Sequence, residues 1–493
     1  MDGDYIIKND LFEGLVTFDA QGNIMPGVAH SWTVSPDNLT YVFKLRRESR
    51  WSNGDPVTAP DFVYAFRRLV APENGCSASF FLNDFKNGAS ILRGEIKDAT
   101  QLGVKALDDH TLEINLETPI PYLLDILASY GGYPLHEKTL KAHGNQWARP
   151  GVMVSNGPFM LKEWVPNDHV KIIKNPHFWD KKSVKLEAVY YLPVTDESTE
   201  LKMFRTGKLD ITFPNIQSPS MVEFMQRKGP EVVRMSPSLK MNIYVFSMKS
   251  PALRDKRVRE ALSLAVDRHL LTEKALVAGS ATPAYSLALP GLNNTLKSHL
   301  EEAEMSREDQ WARARQLYKE AGYSDKNPLV VNLIIPNKPS RRKAAIGVAG
   351  MVRQVLGAQI NIEGKESKIY DSQVGQDVYD IYDLMWALDY NDALGLIEQF
   401  SGANGRLNAA CYHNPQFEEI LKKARQTGDR EKRDQLLDEA CQILFDDHVI
   451  MPLFFTKNYR FVHPRVKGFY ENIINVHGSR YLSIDPGKAD LTF

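Results

Sequence analysis

"LTYVFKLRRESRWSNGDPVTAPDFVYAFRRLVAP", residues 39–72, sets a strand, a tight turn and a helix in one line. Tyr41, Phe43 and Leu45 alternate with Val42, Lys44 and Arg46, the two-residue period of a half-buried strand. Asn53-Gly54 marks the turn. Thr58 reads as a helix N-cap, with Pro60 in the first turn and Asp61 three residues on as the acid of a capping box. Phe62, Phe66, Leu69 and Val70 follow at i, i+4, i+7 and i+8, so one face of that helix is apolar.

The same succession recurs along the chain. "DDHTLEINLETPIPYLLDIL" (108–127) is turn, strand, Pro-marked break and helix; "SNGPFMLKEWVPNDHVKIIKNPHFW" (155–179) is two strands around a Pro/Asn/Asp turn, and "LEAVYYLPV" (186–194) is another strand. The character changes near residue 240. "RDKRVREALSLAVDRHLLTEKAL" (254–276) reads as one long helix, and "SREDQWARARQLYKEAGY" (306–323) opens on a capping box, Ser306 and Asp309, and stops at Gly322. "SRRKAAIGVAGMVRQVLG" (340–357) is a helix with Ser340 as its cap, set among the strands "PLVVNLIIP", "INIEGKESK" and "VYDIYDLMWALDY". Strands and helices mix throughout, so the fold class is α/β (mixed α+β).

A chain of 493 residues exceeds one ordinary core and implies two or three domains. With 60 basic and 61 acidic residues the net charge is −1, so the basic excess of a nucleic-acid binder is missing. No apolar run approaches the ~20 residues of a membrane span. The start, "MDGDYIIKNDLFEG", lacks the basic and apolar regions of a signal peptide. It reads as a cytosolic start or as a chain given without its leader. Cys76, Cys411 and Cys441 form no CxxC and allow one disulfide at most; they read as free thiols.

Chemistry concentrates in few places. There is no Walker loop, GxGxxG, GxSxG or HExxH. "SRRK" (340–343) has the Ser-x-x-Lys spacing of acylating serine enzymes, without their Ser-Asp-Asn or Lys-Thr-Gly companions. "DDH" (446–448) offers three ligand types that do not share a helix face, and reads as a solvated helix end with His448 near the last carbonyls. Ser340 as cap would place Arg341 and Arg342 in a first turn, where the macrodipole disfavours cations. A bound anion or a solvated cluster would each account for them. "MWALDYND" (385–392) ends an apolar strand with Asp389 beside Trp386 and Tyr390. No second acid or ligand set pairs with Asp389, which leaves a fixed negative charge awaiting a cation; Asp392 reads as a turn or capping residue.

Several blocks carry a resemblance in order from about Tyr5 to Tyr470. They are "LFEGLVTFDAQGNIMPGVAHSW", the stretch quoted first, "LGVKALDDHTLEINLETPIPYLLDIL", "SNGPFMLKEWVPNDHVKIIKNPHFWD", "LRDKRVREALSLAVDR" and "ARQLYKEAGY". Together they resemble the extracytoplasmic solute-binding proteins, family 5, of peptide ABC importers, the oligopeptide-binding branch above all.

The resemblance implies a periplasmic-binding-protein-like fold with two lobes, a hinge and three domains. Domain I would comprise 1–13, 137–240 and 457–493, domain II 14–136, and domain III 241–456. It also implies a non-enzymatic receptor that closes over a peptide and hands it to membrane permease subunits, as an extracytoplasmic monomer with no cofactor, metal or nucleic acid.

In the family's Trp-x-x-Asp-Tyr context, "WALDY" places Asp389 on the peptide's α-amine, flanked by Trp386 and Tyr390. Arg341 matches a His that meets the peptide carboxylate in some relatives, and Arg342 stands beside it. The pattern departs elsewhere. Val277 and Val374 stand where relatives carry Lys and Arg, Asp383 where they carry Arg, Val245 for an acid and Ala387 for a disulfide cysteine. Relatives also carry a leader and a first strand ahead of Leu11, so a truncated or wrongly placed start is expected. Rival readings are the same fold binding a murein peptide, haem or another small solute, a chaperone-like binder of unfolded chains, and an acyl hydrolase using Ser340 and Lys343.

Overall fold

Alternating aromatic and aliphatic residues with β propensity bury one face when strands pair, and that is how the first sheet forms. In the computed structural model, which describes residues 2–76, 78–213, 219–277, 279–374, 379–402 and 408–488, the chain divides into two units. Unit 1 comprises Met1–Phe213, Glu223–Arg234 and Arg460–Phe493; unit 2 comprises Pro214–Val222 and Met235–Tyr459.

In unit 1, strands β1 (Ala29–Val34), β2 (Thr40–Leu45), β3 (Val104–Asp108) and β4 (Thr111–Asn115) form an antiparallel sheet in the order β1-β2-β4-β3. Tyr41, Phe43 and Leu45 are buried, as their alternation predicts. Helix α1 (Ala59–Val70) starts at Thr58, whose backbone N–H donates to Asp61 Oδ2 at 2.8 Å, and it buries Phe62, Phe66 and Val70. A second antiparallel sheet holds β5 (Phe159–Val165), β6 (His169–Lys174) and β7 (Ala188–Tyr191) in that order.

Buried charges tie the ends of unit 1 together. Asp10 accepts hydrogen bonds from the Tyr191 hydroxyl at 2.5 Å and the Ser479 N–H at 2.8 Å. Glu13 pairs with Arg480 at 2.7 Å and accepts from Trp179 Nε1 at 2.6 Å. Burial outweighs these contacts at Asp10 and pushes its pKa up to about 6.

Unit 2 is built on a six-stranded mixed sheet. Its strands are β8 (Val233–Phe246), β9 (Ala281–Pro283), β10 (Val330–Pro336), β11 (Gln359–Lys365), β12 (Ile381–Ala387) and β13 (Ile450–Phe461), in the order β9-β13-β8-β12-β10-β11. β10 runs parallel to both β11 and β12, whereas β8 and β12 are antiparallel. Helices α2 (Lys256–Leu264), α3 (Arg307–Glu320) and α4 (Pro339–Leu356) supply Val258, Leu262, Ala314, Val348 and Val352 to one core with Tyr244, Phe246 and Leu333. Ser306 caps α3 through a hydrogen bond from the Asp309 N–H at 3.1 Å, and Gly322 follows its end at φ 90°.

Three local expectations change. The stretch 254–276 is not one helix: α2 ends at Leu264, and Asp267 caps a new turn by accepting from Leu270 N–H at 2.9 Å. The break turns Arg268 into the core, where it pairs with Glu302 at 2.9 Å. Ser340 is not the cap of α4, because Pro339 already occupies N1 with its fixed φ and Lys338 is the N-cap. Helix α5 (Arg430–Asp446) is not solvated at its end; Arg259 donates to the Asp447 and His448 carbonyls, and His448 is buried. Cys76, Cys411 and Cys441 form no disulfide among the described residues.

Candidate functional site

The site grows from the end of β12. Side chains alternate across a strand, so Asp383, Met385 and Ala387 share a face with their partners Tyr244, Asn242 and Lys240 on β8, while Trp386 pairs with Met241 on the other face. Leu388 N–H still donates to Leu239 O at 2.9 Å, and the chain then bends at Asp389 and Tyr390. Trp386 Nε1 donates to Gly395 O at 3.2 Å. A Cβ on Gly395 would lie 2.7 Å from Leu388 Cδ2 and 3.9 Å from the Tyr390 ring, so Leu388 and Tyr390 close over a position that has no side chain.

Asp389 is exposed, not buried as its apolar approach suggests, because it lies past the last strand residue. Its carboxylate makes no hydrogen bond or ion pair with any described residue. Packing nevertheless strips water from it and raises its pKa above the ordinary value, with no cation among the described residues countering the shift. Such a carboxylate gains on meeting an ammonium group, since charge-assisted hydrogen bonds then replace incomplete solvation.

The loop that carries Asp389 is held from below. Asn391 accepts from Asn293 N–H at 3.0 Å and donates to Gly291 O at 3.1 Å. Asp392 accepts from Leu394 N–H at 2.9 Å, as a capping residue does, and also binds Arg433 of α5 through both oxygens, at 2.7 and 2.9 Å. Asp392 and Arg433 are each about as buried as core leucines, at 3% side-chain exposure for Arg433 and 5% for Asp392. Sequence reasoning finds the cap and misses Arg433, because no local pattern links the two.

Arg341 and Arg342 are separated by the helix they share. Arg341 points inward; its Nη2 donates to Asp383 Oδ1 at 2.6 Å and to Asp383 O at 3.0 Å. Asp383 also accepts from Asn242 Nδ2 at 2.7 Å, and its carbonyl accepts from the Tyr370 hydroxyl at 2.6 Å. Burial raises the Asp383 pKa, and Arg341 pulls against that rise. Arg342 is exposed, with its guanidinium beside Gly364 of β11. The arginine expected at a ligand carboxylate is thus an interior ion-pair partner. Ser340 and Lys343 share no hydrogen bond among the described residues. Nor do three His, Cys, Asp or Glu side chains among them group to hold a metal ion. No described helix is long and apolar enough to cross a membrane.

A two-unit mixed α/β chain with a carboxylate at a strand end that is unpaired among the described residues has the makings of a solute receptor. The sequence pattern of the bacterial extracellular solute-binding proteins, family 5 (middle region), matches residues 23–408. The chain belongs to that family. It is 32% identical over 465 residues to the periplasmic oligopeptide-binding protein OppA of Salmonella typhimurium, covering 94% of this chain and 85% of the relative. It is also 32% identical over 467 residues to the periplasmic murein peptide-binding protein MppA of Escherichia coli, with 94% and 85% coverage. Among solved structures, Haemophilus influenzae OppA in complex with the peptide RPPGFSPFR superposes with a TM-score of 0.81 at 30% identity, over 97% of this chain and 94% of that one.

Proposed function

We propose that this protein is an extracytoplasmic substrate-binding protein that captures oligopeptides and delivers them to an ABC transporter, acting as a monomer and without catalysis. The observation that carries the site is Asp389, a carboxylate with no counter-ion among the described residues, held at the end of β12 by the Asn391 and Asp392 contacts. It receives the peptide's α-ammonium, with Trp386 and Tyr390 as its walls. Main-chain hydrogen bonds read the rest of an extended peptide, which lets side chains vary. Residues 1–13, 137–240 and 457–493 form domain I in this reading, 14–136 domain II and 241–456 domain III.

Calorimetry on Asp389→Ala tests the anchor. Affinity for free-amine peptides should fall at least about tenfold, or ~1.4 kcal/mol, while N-acetylated peptides bind the variant and the parent alike. Equal losses for both ligand sets would remove Asp389 from this role. MppA, at the same identity as OppA, favours a second reading in which the ligand is a murein peptide. The mass of ligand retained by natively purified protein separates the two.

A further inference from the structure

We infer that Asn294 is a positioning residue for the proposed amine anchor: by tying the backbone at Ala393 to Asp434 of α5, it fixes where the Asp389 carboxylate stands. Selectivity for a free amine then depends on a side chain outside the anchor itself. The inference deepens the peptide-binding reading above and rests on it.

Asp389 cannot set its own place. It lies two residues past the end of β12, is exposed, and its carboxylate has no hydrogen-bond or ion-pair partner among the described residues. The backbone on either side must therefore hold it. Before it, the Leu388 N–H donates to Leu239 O at 2.9 Å and carries the β8–β12 ladder one residue further. After it, three consecutive residues are gripped. Asn391 accepts from the Asn293 N–H at 3.0 Å, Asp392 is held by Arg433 at 2.7 and 2.9 Å, and the Ala393 N–H donates to Asn294 Oδ1 at 2.7 Å.

Asn294 joins the loop to the helix beneath it with both ends of its amide. Oδ1 takes the Ala393 N–H, while Nδ2 donates to Asp434 Oδ1 at 2.7 Å and lies 3.4 Å from Asp392 Oδ2. Asp434 is buried, and its other oxygen accepts from the Thr295 N–H at 2.9 Å. The Asn294 amide therefore cannot turn over without taking a donor from a buried carboxylate. Removing Arg433 would strand the buried charge of Asp392. Asn294 is only half-buried and carries no charge, so its loss loosens the loop and leaves the ion pair in place. A looser loop spreads the Asp389 carboxylate over more positions, and the entropy of settling it then opposes ligand binding.

Calorimetry with tri-, tetra- and penta-alanine, each as the free amine and in N-acetylated form, tests this. Wild-type protein should prefer the free amines at least about tenfold. In Asn294→Ala that preference should shrink about fivefold, through weaker binding of the free amines with the N-acetylated peptides bound as before. Asn294→Asp keeps the acceptor for Ala393 and loses the donor to Asp434; it should do the same, and it serves alone if Asn294→Ala does not fold. The exchange Asn294→Asp/Asp434→Asn restores a donor–acceptor pair at unchanged net charge and should return the preference to within about twofold of wild type. An unchanged preference in a folded single variant, or equal weakening of both ligand sets, overturns the inference and leaves Asp389 as the anchor. Wild-type protein that binds both forms alike, or neither, overturns the peptide-amine reading itself, which is a different result.

Discussion

Arg433 and Asp392 stand 41 residues apart in sequence and meet fork to fork, at 2.7 and 2.9 Å, beneath the loop that carries Asp389. A guanidinium matches a carboxylate in two parallel hydrogen bonds, so the pair sets orientation as well as distance. The same loop is bound to 291–295 by Asn391 and Asn294, and Asn294 in turn donates to Asp434 of α5 at 2.7 Å. Asp389, the proposed amine anchor, therefore sits on a braced loop even though it is itself exposed.

Removing one member of that pair strands a buried charge. Arg433→Met should cost ~3–5 kcal/mol of stability, and the double variant Arg433→Met/Asp392→Asn should recover part of the loss. Urea unfolding of the four proteins of the cycle measures this. A double variant no more stable than Arg433→Met would show that the ion pair is not the source of the effect.

Ligand binding should follow the ionisation of Asp389. Its pKa is raised by lost hydration, while a peptide amine stays protonated below about pH 7. Affinity for free-amine peptides should therefore drop on acidification at a pH above the ordinary carboxylate range, and Asp389→Asn should show a flat profile. Titration calorimetry between pH 7 and pH 4 compares them; parallel profiles would count against the anchor.

Asp10 gives unit 1 a pH dependence of opposite sense to that of a salt-bridged acid. Its pKa is about 6 in the folded chain against an ordinary 3.8, so between those values the folded state binds more protons than the unfolded one. Stability from this group is fully present below about pH 4 and is lost as pH rises through 6, by ~3 kcal/mol at most. From pH 4 to 7 the stability of the wild type, read from denaturation curves, should fall by up to ~3 kcal/mol more than that of Asp10→Asn.

Ser306→Ala should destabilise unit 2 by ~1 kcal/mol, because the hydroxyl both accepts from Asp309 N–H at 3.1 Å and donates to Asp309 Oδ2 at 2.7 Å. Ser306→Asp should keep most of that stability. Thermal unfolding distinguishes the two substitutions.

Features with short spacing were legible from the chain alone. The alternation at Tyr41, Phe43 and Leu45, the Thr58–Asp61 and Ser306–Asp309 caps and the glycine stop at 322 each rest on contacts within a turn or along one strand, and each forms as read. The family resemblance spans those same blocks, so fold class and receptor character follow from them. Local competition shifted some details: Pro339 took the helix start that Ser340 was expected to cap, and Asp267 began a new turn where the periodicity ran on.

Charge pairing was decided elsewhere. Arg341 finds Asp383 at a separation of 42 residues, Arg433 finds Asp392 at 41, and Ser479 finds Asp10 at 469. Periodicity cannot carry these partnerships, because they depend on which segments the sheets and helices bring side by side. The sequence alone determined that an acid would end an apolar strand in aromatic company and that two arginines would open a helix. Only the tertiary structure decided that Asp389, exposed yet partly dehydrated, has no ion-pair partner among the described residues while Arg341 gives its charge to Asp383, since a charge taken into the interior is costly unless a partner compensates it.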